Sequence, residues 1–195
     1  MPLAVYPGTS DPITLGHVDV VTRARTVFDR VVVGVAHNAA KRGRHLFGLD
    51  GRLELARASL AHLSGVEVDV VPGLLADYCS RCGASAIIKG LRNGSDLDAE
   101  LPMALLNRDL GAPETVFLPA SAAYAHISSS LVKDVAGYGR DVSALVPPAV
   151  AHALEVRLSQ APGSAAHDGV DSGLIPPGTP PSRLDRAHHT REDLP

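Results

Sequence analysis

The chain has 195 residues, of which 45% are hydrophobic and 20% charged, and its net charge is −3. This length and composition fit one globular domain and exclude wholesale disorder, while the near-neutral charge excludes the strongly basic surface of a nucleic-acid binder. No run approaches the roughly 18 apolar residues of a membrane span, and MPLAVYPGT lacks a basic leader region, so a cytoplasmic protein without a membrane partner is expected.

Along the chain, short β-branched runs alternate with segments of helical periodicity. A strand is predicted at Leu3–Tyr6, then a helix at His17–Phe28, a strand at Val31–Ala36 and a helix at Asp50–Leu63. Next come a strand at Val66–Val71 and a helix at Leu74–Cys82, whose Cys79-Ser80-Arg81-Cys82 reads as a helix end before Gly83 because no second such pair completes a zinc site. The series continues with strand Ala86–Lys89, helix Asp96–Leu110, strand Thr115–Leu118, helix Ser129–Ala136 and a last helix at Pro148–Leu158, opened by Pro-Pro. Five strand-then-helix units predict an α/β fold: a doubly wound, Rossmann-like, five-stranded parallel sheet with helices on both faces. That domain occupies residues 1–160. Residues 161–195 hold six Pro, four Gly and no aromatic residue, so they read as a disordered tail in which His188-His189 is solvated.

In such sheets ligands bind outside the carboxyl ends of the strands, and those segments hold the chemistry here. Neither a Walker A sequence nor GxGxxG is present, so phosphate needs another cradle. The first strand ends in Tyr6-Pro7-Gly8-Thr9-Ser10-Asp11-Pro12-Ile13-Thr14-Leu15-Gly16-His17. Thr14 and His17, three apart, share a face of the first helical turn beside free N–H groups, and Gly16 leaves room for a phosphate. After the second strand the loop holds Lys41, Arg42 and Arg44; after the fourth, Lys89-Gly90-Leu91-Arg92 places two cations around a glycine. After the fifth, Ser128-Ser129-Ser130 opens a helix where hydroxyls can cap it or bind an anion. Four strand ends thus supply cations and two helix N-termini, with no Ser–His–Asp or Cys–His nucleophile. That equipment suits transfer of a phosphoryl or nucleotidyl group by positioning and charge stabilisation.

The residues YPGTSDPITLGH (6–17), the Lys41 loop, IIKGLR (87–92), Asp96 through Glu100 and ISSSLVK (127–133) stand in one order and spacing. Over residues 3–159 they resemble the bacterial phosphopantetheine adenylyltransferases of the TxGH/HxGH nucleotidyltransferase superfamily. The resemblance implies transfer of AMP from ATP to 4′-phosphopantetheine, giving dephospho-coenzyme A and pyrophosphate in coenzyme A biosynthesis, with Mg²⁺ on the phosphates and a homohexamer. It implies that His17, Lys41 and Arg92 stabilise the reacting phosphates. It further assigns Thr9, Lys41, Leu75 and Lys89 to the pantetheine side. To ATP it assigns Thr9, Ser10 (through its backbone), His17, Gly90, Leu91, Arg92, Glu100 and the run Tyr124, Ala125, His126, Ile127, Ser128, Ser129, Ser130. The chain departs from the family where Ser10 replaces a usual Phe, Lys89 a usual Arg, and Ala122-Ala123-Tyr124-Ala125-His126 a bulkier aromatic stretch. Two other readings of the same residues stay open: a nucleotidyltransferase with another small phosphate acceptor, and a non-catalytic coenzyme A or nucleotide sensor.

Overall fold

The computed structural model describes residues 2–37 and 45–159. The basic loop with Lys41, Arg42 and Arg44, and the tail with His188-His189, lie outside the described residues. The elements in chain order are β1 (Leu3–Gly8), α1 (Leu15–Ala24), β2 (Arg30–Ala36), α2 (Leu49–Leu60), β3 (Val66–Val71), α3 (Leu75–Cys82), β4 (Ala86–Leu91), α4 (Gly94–Asp109), β5 (Thr115–Pro119), α5 (Ser129–Gly137) and α6 (Pro148–Ser159). Every predicted strand and helix is present.

The strands form one sheet in the order β3-β2-β1-β4-β5, and each neighbouring pair is parallel. Val5 of β1 pairs with Val32 on one side and Ile87 on the other. Alternation along β1 sends Ala4 and Tyr6 to a core shared with α1, α2, α5 and α6, while Leu3 and Val5 join Ala76, Tyr78 and Cys79 of α3 on the opposite face. Burial on both faces explains why β1 and β2 read as nearly unbroken apolar runs. The outer strand β3 instead alternates, exposing Glu67 and Asp69, as charged residues on an edge should. Gly34 is required by packing, since a Cβ there would lie 2.6 Å from Val71 Cγ2.

Helix boundaries moved where tertiary bonds decide them. The helix predicted over 17–28 begins two residues earlier, at Leu15, and ends at Ala24. The N–H groups of Val27 and Phe28 both turn back to the Ala24 carbonyl. Arg25 ties that turn to the Phe28 carbonyl and, at 2.8 Å, to the Ser64 carbonyl. The last turn of α3 carries Cys79 and Cys82, both thiols free, and ends at Gly83 with φ 67. Among the described residues no helix is long and apolar enough to cross a membrane.

The strand order reverses between β1 and β4: the chain runs outward from β1 through β2 to β3, then returns to the other side of β1. Two loops diverge there and leave a crevice at the carboxyl end of the sheet.

Candidate active site

A cleft of about 420 Å³ opens at that crevice, walled by the end of β1 and start of α1, the end of β4 with the first turns of α4, and the loop from β5 into α5. Of the residues expected from the sequence, Thr9, His17, Lys89, Gly90, Arg92, Glu100, Tyr124, Ile127 and Ser128 to Ser130 line it. Ser10, Leu75, Leu91, Ala125 and His126 do not. Ser10 is folded under the β1 turn, 4% exposed and at φ 49, a left-handed conformation that a non-glycine residue keeps only when its surroundings enforce it. Leu75 packs on the α3 face of the sheet, and His126 is exposed to solvent.

His17 sits in the third position of α1, and its side chain reaches back to the helix entry. The Thr14 N–H donates to His17 Nδ1 at 3.1 Å, and Thr14 Oγ1 lies 2.8 Å from the same nitrogen. This is a capping box with imidazole in place of the usual Glu or Gln. A nitrogen that accepts from an amide carries no proton, so the neutral ring holds its proton on Nε2, the nitrogen left for the cleft. Burial, and then the positive charge of Arg92, push the His17 pKa down to about 4. His17 at neutral pH is therefore an uncharged donor.

That shift makes stability depend on pH. Below 6.5 the unfolded chain takes up a proton at His17, whereas the folded protein resists until about pH 4. The contribution is present above the unfolded value and is lost as pH falls from 6.5 towards 4. His17→Gln, which keeps a capping acceptor, is expected to flatten the fall in melting temperature across that window, measured by thermal denaturation at stepped pH. An unchanged slope would contradict the assignment.

Lys89 and Arg92, the cations that line the cleft among the described residues, each meet a carboxylate from α4. Lys89 Nζ is 3.0 Å from Glu100 Oε2. Arg92 grips Asp96 with two side-chain bonds of 2.8 Å, and its own N–H donates to Asp96 Oδ2 at 2.9 Å. Asp96 holds the guanidinium charged, and Arg92 in turn holds the Asp96 carboxyl below its ordinary range. The spacing explains the match: Lys89 and Arg92 leave the end of β4 three apart, while Asp96 and Glu100, four apart, share a face of α4. The two carboxylates thus hold both cations against the wall of the cleft.

The three serines divide their work. Ser128 caps α5 by accepting from the Leu131 N–H, and Ser129 donates to the Pro12 carbonyl at 2.7 Å. Ser130 is exposed at the cleft wall.

Sequence reading missed the anchors beneath this surface. Asp11, 3% exposed, accepts from the Leu46 and Phe47 N–H groups at 3.0 and 2.9 Å and from Lys133 Nζ at 2.9 Å. Burial alone would raise its pKa; Lys133 and the two N–H groups outweigh it and hold the carboxyl below its usual range. Arg52, 3% exposed on α2, donates from Nη1 to the carbonyls of Thr9 and Ala36, which fixes the ends of β1 and β2 together. Asp19 holds the β5 loop by accepting from Ser121 Oγ at 2.8 Å. In the sequence Asp11 looks like any turn residue and Arg52 like any helix-surface arginine. The opposed spacings of Asp96/Glu100 and Lys89/Arg92 were the one signal that could have revealed the paired charges.

A five-stranded parallel sheet with a cleft of cationic and hydroxyl side chains at its switch point is the setting, and the family model "Cytidylyltransferase-like" matches residues 5–135, which places the chain among the nucleotidyltransferases of that class. A crystal structure from Vibrio parahaemolyticus, provisionally described as a nicotinate-nucleotide adenylyltransferase, shares the fold at a TM-score of 0.60 with 16% identity, covering 80% of this chain and 93% of that one. Sequence relatives narrow the class. The phosphopantetheine adenylyltransferase of Pseudarthrobacter chlorophenolicus is 55% identical over 152 residues, 77% of this chain and 90% of that protein. That of Deinococcus radiodurans is 49% identical over 157 residues, 80% and 94%. The chain belongs to the phosphopantetheine adenylyltransferase family.

Proposed function

We propose that the chain transfers the adenylyl group of ATP to 4′-phosphopantetheine, releasing pyrophosphate and dephospho-coenzyme A, the product whose later form is coenzyme A. The observation that carries this reading is the switch-point cleft, in which a neutral histidine donor, two carboxylate-held cations and a helix N-terminus converge, in a chain about half identical to adenylyltransferases of that name. A phosphate oxygen of the acceptor attacks the α-phosphorus in line; the new P–O bond forms as the bond to the β-phosphate oxygen breaks, and pyrophosphate leaves. No proton has to move. His17 Nε2–H donates to the oxygens that gain charge, Arg92 faces the same phosphates, and Thr9, Lys89 and Lys41 take the acceptor phosphate. Leu75 borders the pantetheine arm, and Ser10, Leu91, Ala125 and His126 act on ATP through backbone or outer contacts.

Among the described residues no three His, Cys, Asp or Glu side chains cluster as a metal site, and both cleft carboxylates already hold a cation. A resident Mg²⁺ cage does not fit these residues. The ion enters as part of the substrate, bound to the ATP phosphates and neutralising the leaving pyrophosphate. Small charged substrates of this kind place the enzyme in the cytoplasm.

The acceptor assignment is tested at Lys89, which keeps the charge of the family's arginine without its planar fork. Lys89→Ala is expected to lower kcat/KM for 4′-phosphopantetheine by about 10- to 100-fold, the range of one hydrogen bond to a charged group, with a smaller effect on KM for ATP. Lys89→Arg should retain activity. Unchanged acceptor kinetics in Lys89→Ala would remove Lys89 from the site.

The homohexamer implied by the resemblance finds support in α4. Six large apolar residues around it, Leu97, Leu101, Met103, Leu105, Leu106 and Leu110, are 37–51% exposed, and Asn107 is the helix's one buried residue. Exposed apolar surface on this scale calls for cover, and a second copy of the chain supplies it. Met103→Glu is expected to reduce the particle mass below six chains in sedimentation; a hexamer that survives it would exclude α4 from the contact.

A further inference from the structure

Two tyrosines are buried in this fold, and they differ in what their hydroxyls do. Tyr78, 6% exposed, donates to Asp69 at 2.7 Å, as a buried tyrosine ordinarily does. Tyr6, 8% exposed, makes no hydrogen bond among the described residues although its ring lines the cleft. Its ring centroid is 6.3 Å from that of His17. Its hydroxyl lies beside Gly90, 3.8 Å from where a Cβ there would stand, at the cleft end of β4. Glu100 and Arg92 both act on it electrostatically.

We propose that the Tyr6 hydroxyl is a nucleotide-binding group, donating a hydrogen bond to a phosphate or ribose oxygen of ATP held between His17 and Arg92. The ring is packed in the core while the hydroxyl opens on the cleft without a side-chain or backbone partner among the described residues, so the donor is available to a ligand, and phenylalanine would fill the same apolar site without offering it. Burial, with Glu100 adding to it, raises the Tyr6 pKa well above its ordinary value, so the group stays a donor at every working pH. A donor held there by a buried ring loses little conformational freedom when it binds.

The inference rests on the adenylyl-transfer reading, and the test separates the two. Titration calorimetry with ATP and magnesium, without acceptor, is run on the wild type, Tyr6→Phe and Tyr78→Phe, alongside thermal denaturation of each. Tyr6→Phe is expected to keep the melting temperature while weakening ATP binding about tenfold. Tyr78→Phe should do the reverse, losing about 2–4 °C with ATP affinity unchanged. An unchanged ATP Kd in Tyr6→Phe, or a melting temperature that falls by several degrees, would overturn the proposal, as would a wild type that binds no ATP. A wild type that binds ATP but does not adenylylate 4′-phosphopantetheine overturns the acceptor reading alone, and the ratio of Kd values still decides the role of Tyr6.

Discussion

His17→Ala is expected to lower kcat by about 100- to 1000-fold, the usual effect of removing one donor aimed at developing charge, while ATP affinity changes much less. The reasoning starts from the Thr14 N–H, which occupies Nδ1 and so commits the neutral ring to present Nε2–H to the cleft. A neutral donor binds ground-state phosphate modestly. It gains when the α-phosphate spreads charge in the transition state, and that difference appears in kcat. Because alanine also removes the helix cap, His17→Gln serves as the control: it retains a capping acceptor, and a similar loss of turnover with an intact melting temperature assigns the effect to the lost imidazole. Steady-state kinetics with near-normal kcat in His17→Ala would dismiss the role.

Asp11→Ala should be among the most damaging substitutions to the fold, lowering the melting temperature on the order of 10 °C. The carboxylate joins the β1 turn to the entry of α2 through the Leu46 and Phe47 N–H groups and to α5 through Lys133. Removing it strands two amides and an ammonium together. Breaking a buried charged set in this way costs about 3–5 kcal/mol, and in a domain this size each kcal/mol shifts the midpoint by about 2–4 °C. Thr9 stands two residues before Asp11, so turnover should fall with stability. A change under about 2 °C in differential scanning calorimetry would show that the turn holds without Asp11.

These two residues mark where the sequence could be read and where it could not. The place of His17 at the cleft was legible because its signal is local: a helix start, a threonine three residues back and a glycine between them form one contiguous pattern. Lys89, Arg92 and the serine run were legible for the same reason, each lying just beyond a strand whose β-branched run was plain. The two-sided burial of β1 and β2 made the parallel sheet readable from Val31 to Val35 alone. Asp11, Arg52 and Tyr6 depend on partners far away in sequence, such as Lys133, Ala36 and Gly90, and nothing in a window of a dozen residues reports them. The end of α1 was misplaced for that reason too, since Arg25 closes the turn by reaching Ser64. The apolar residues of α4 gave a helix of the right extent but no sign that so many of them would stay exposed among the described residues.

Adenylyl transfer is best followed as pyrophosphate release from ATP and magnesium by the purified 195-residue chain, with and without 4′-phosphopantetheine. Release is expected only when the acceptor is present, matched one for one by dephospho-coenzyme A. Release at the same rate without the acceptor, or none with it while ATP binds, would contradict it.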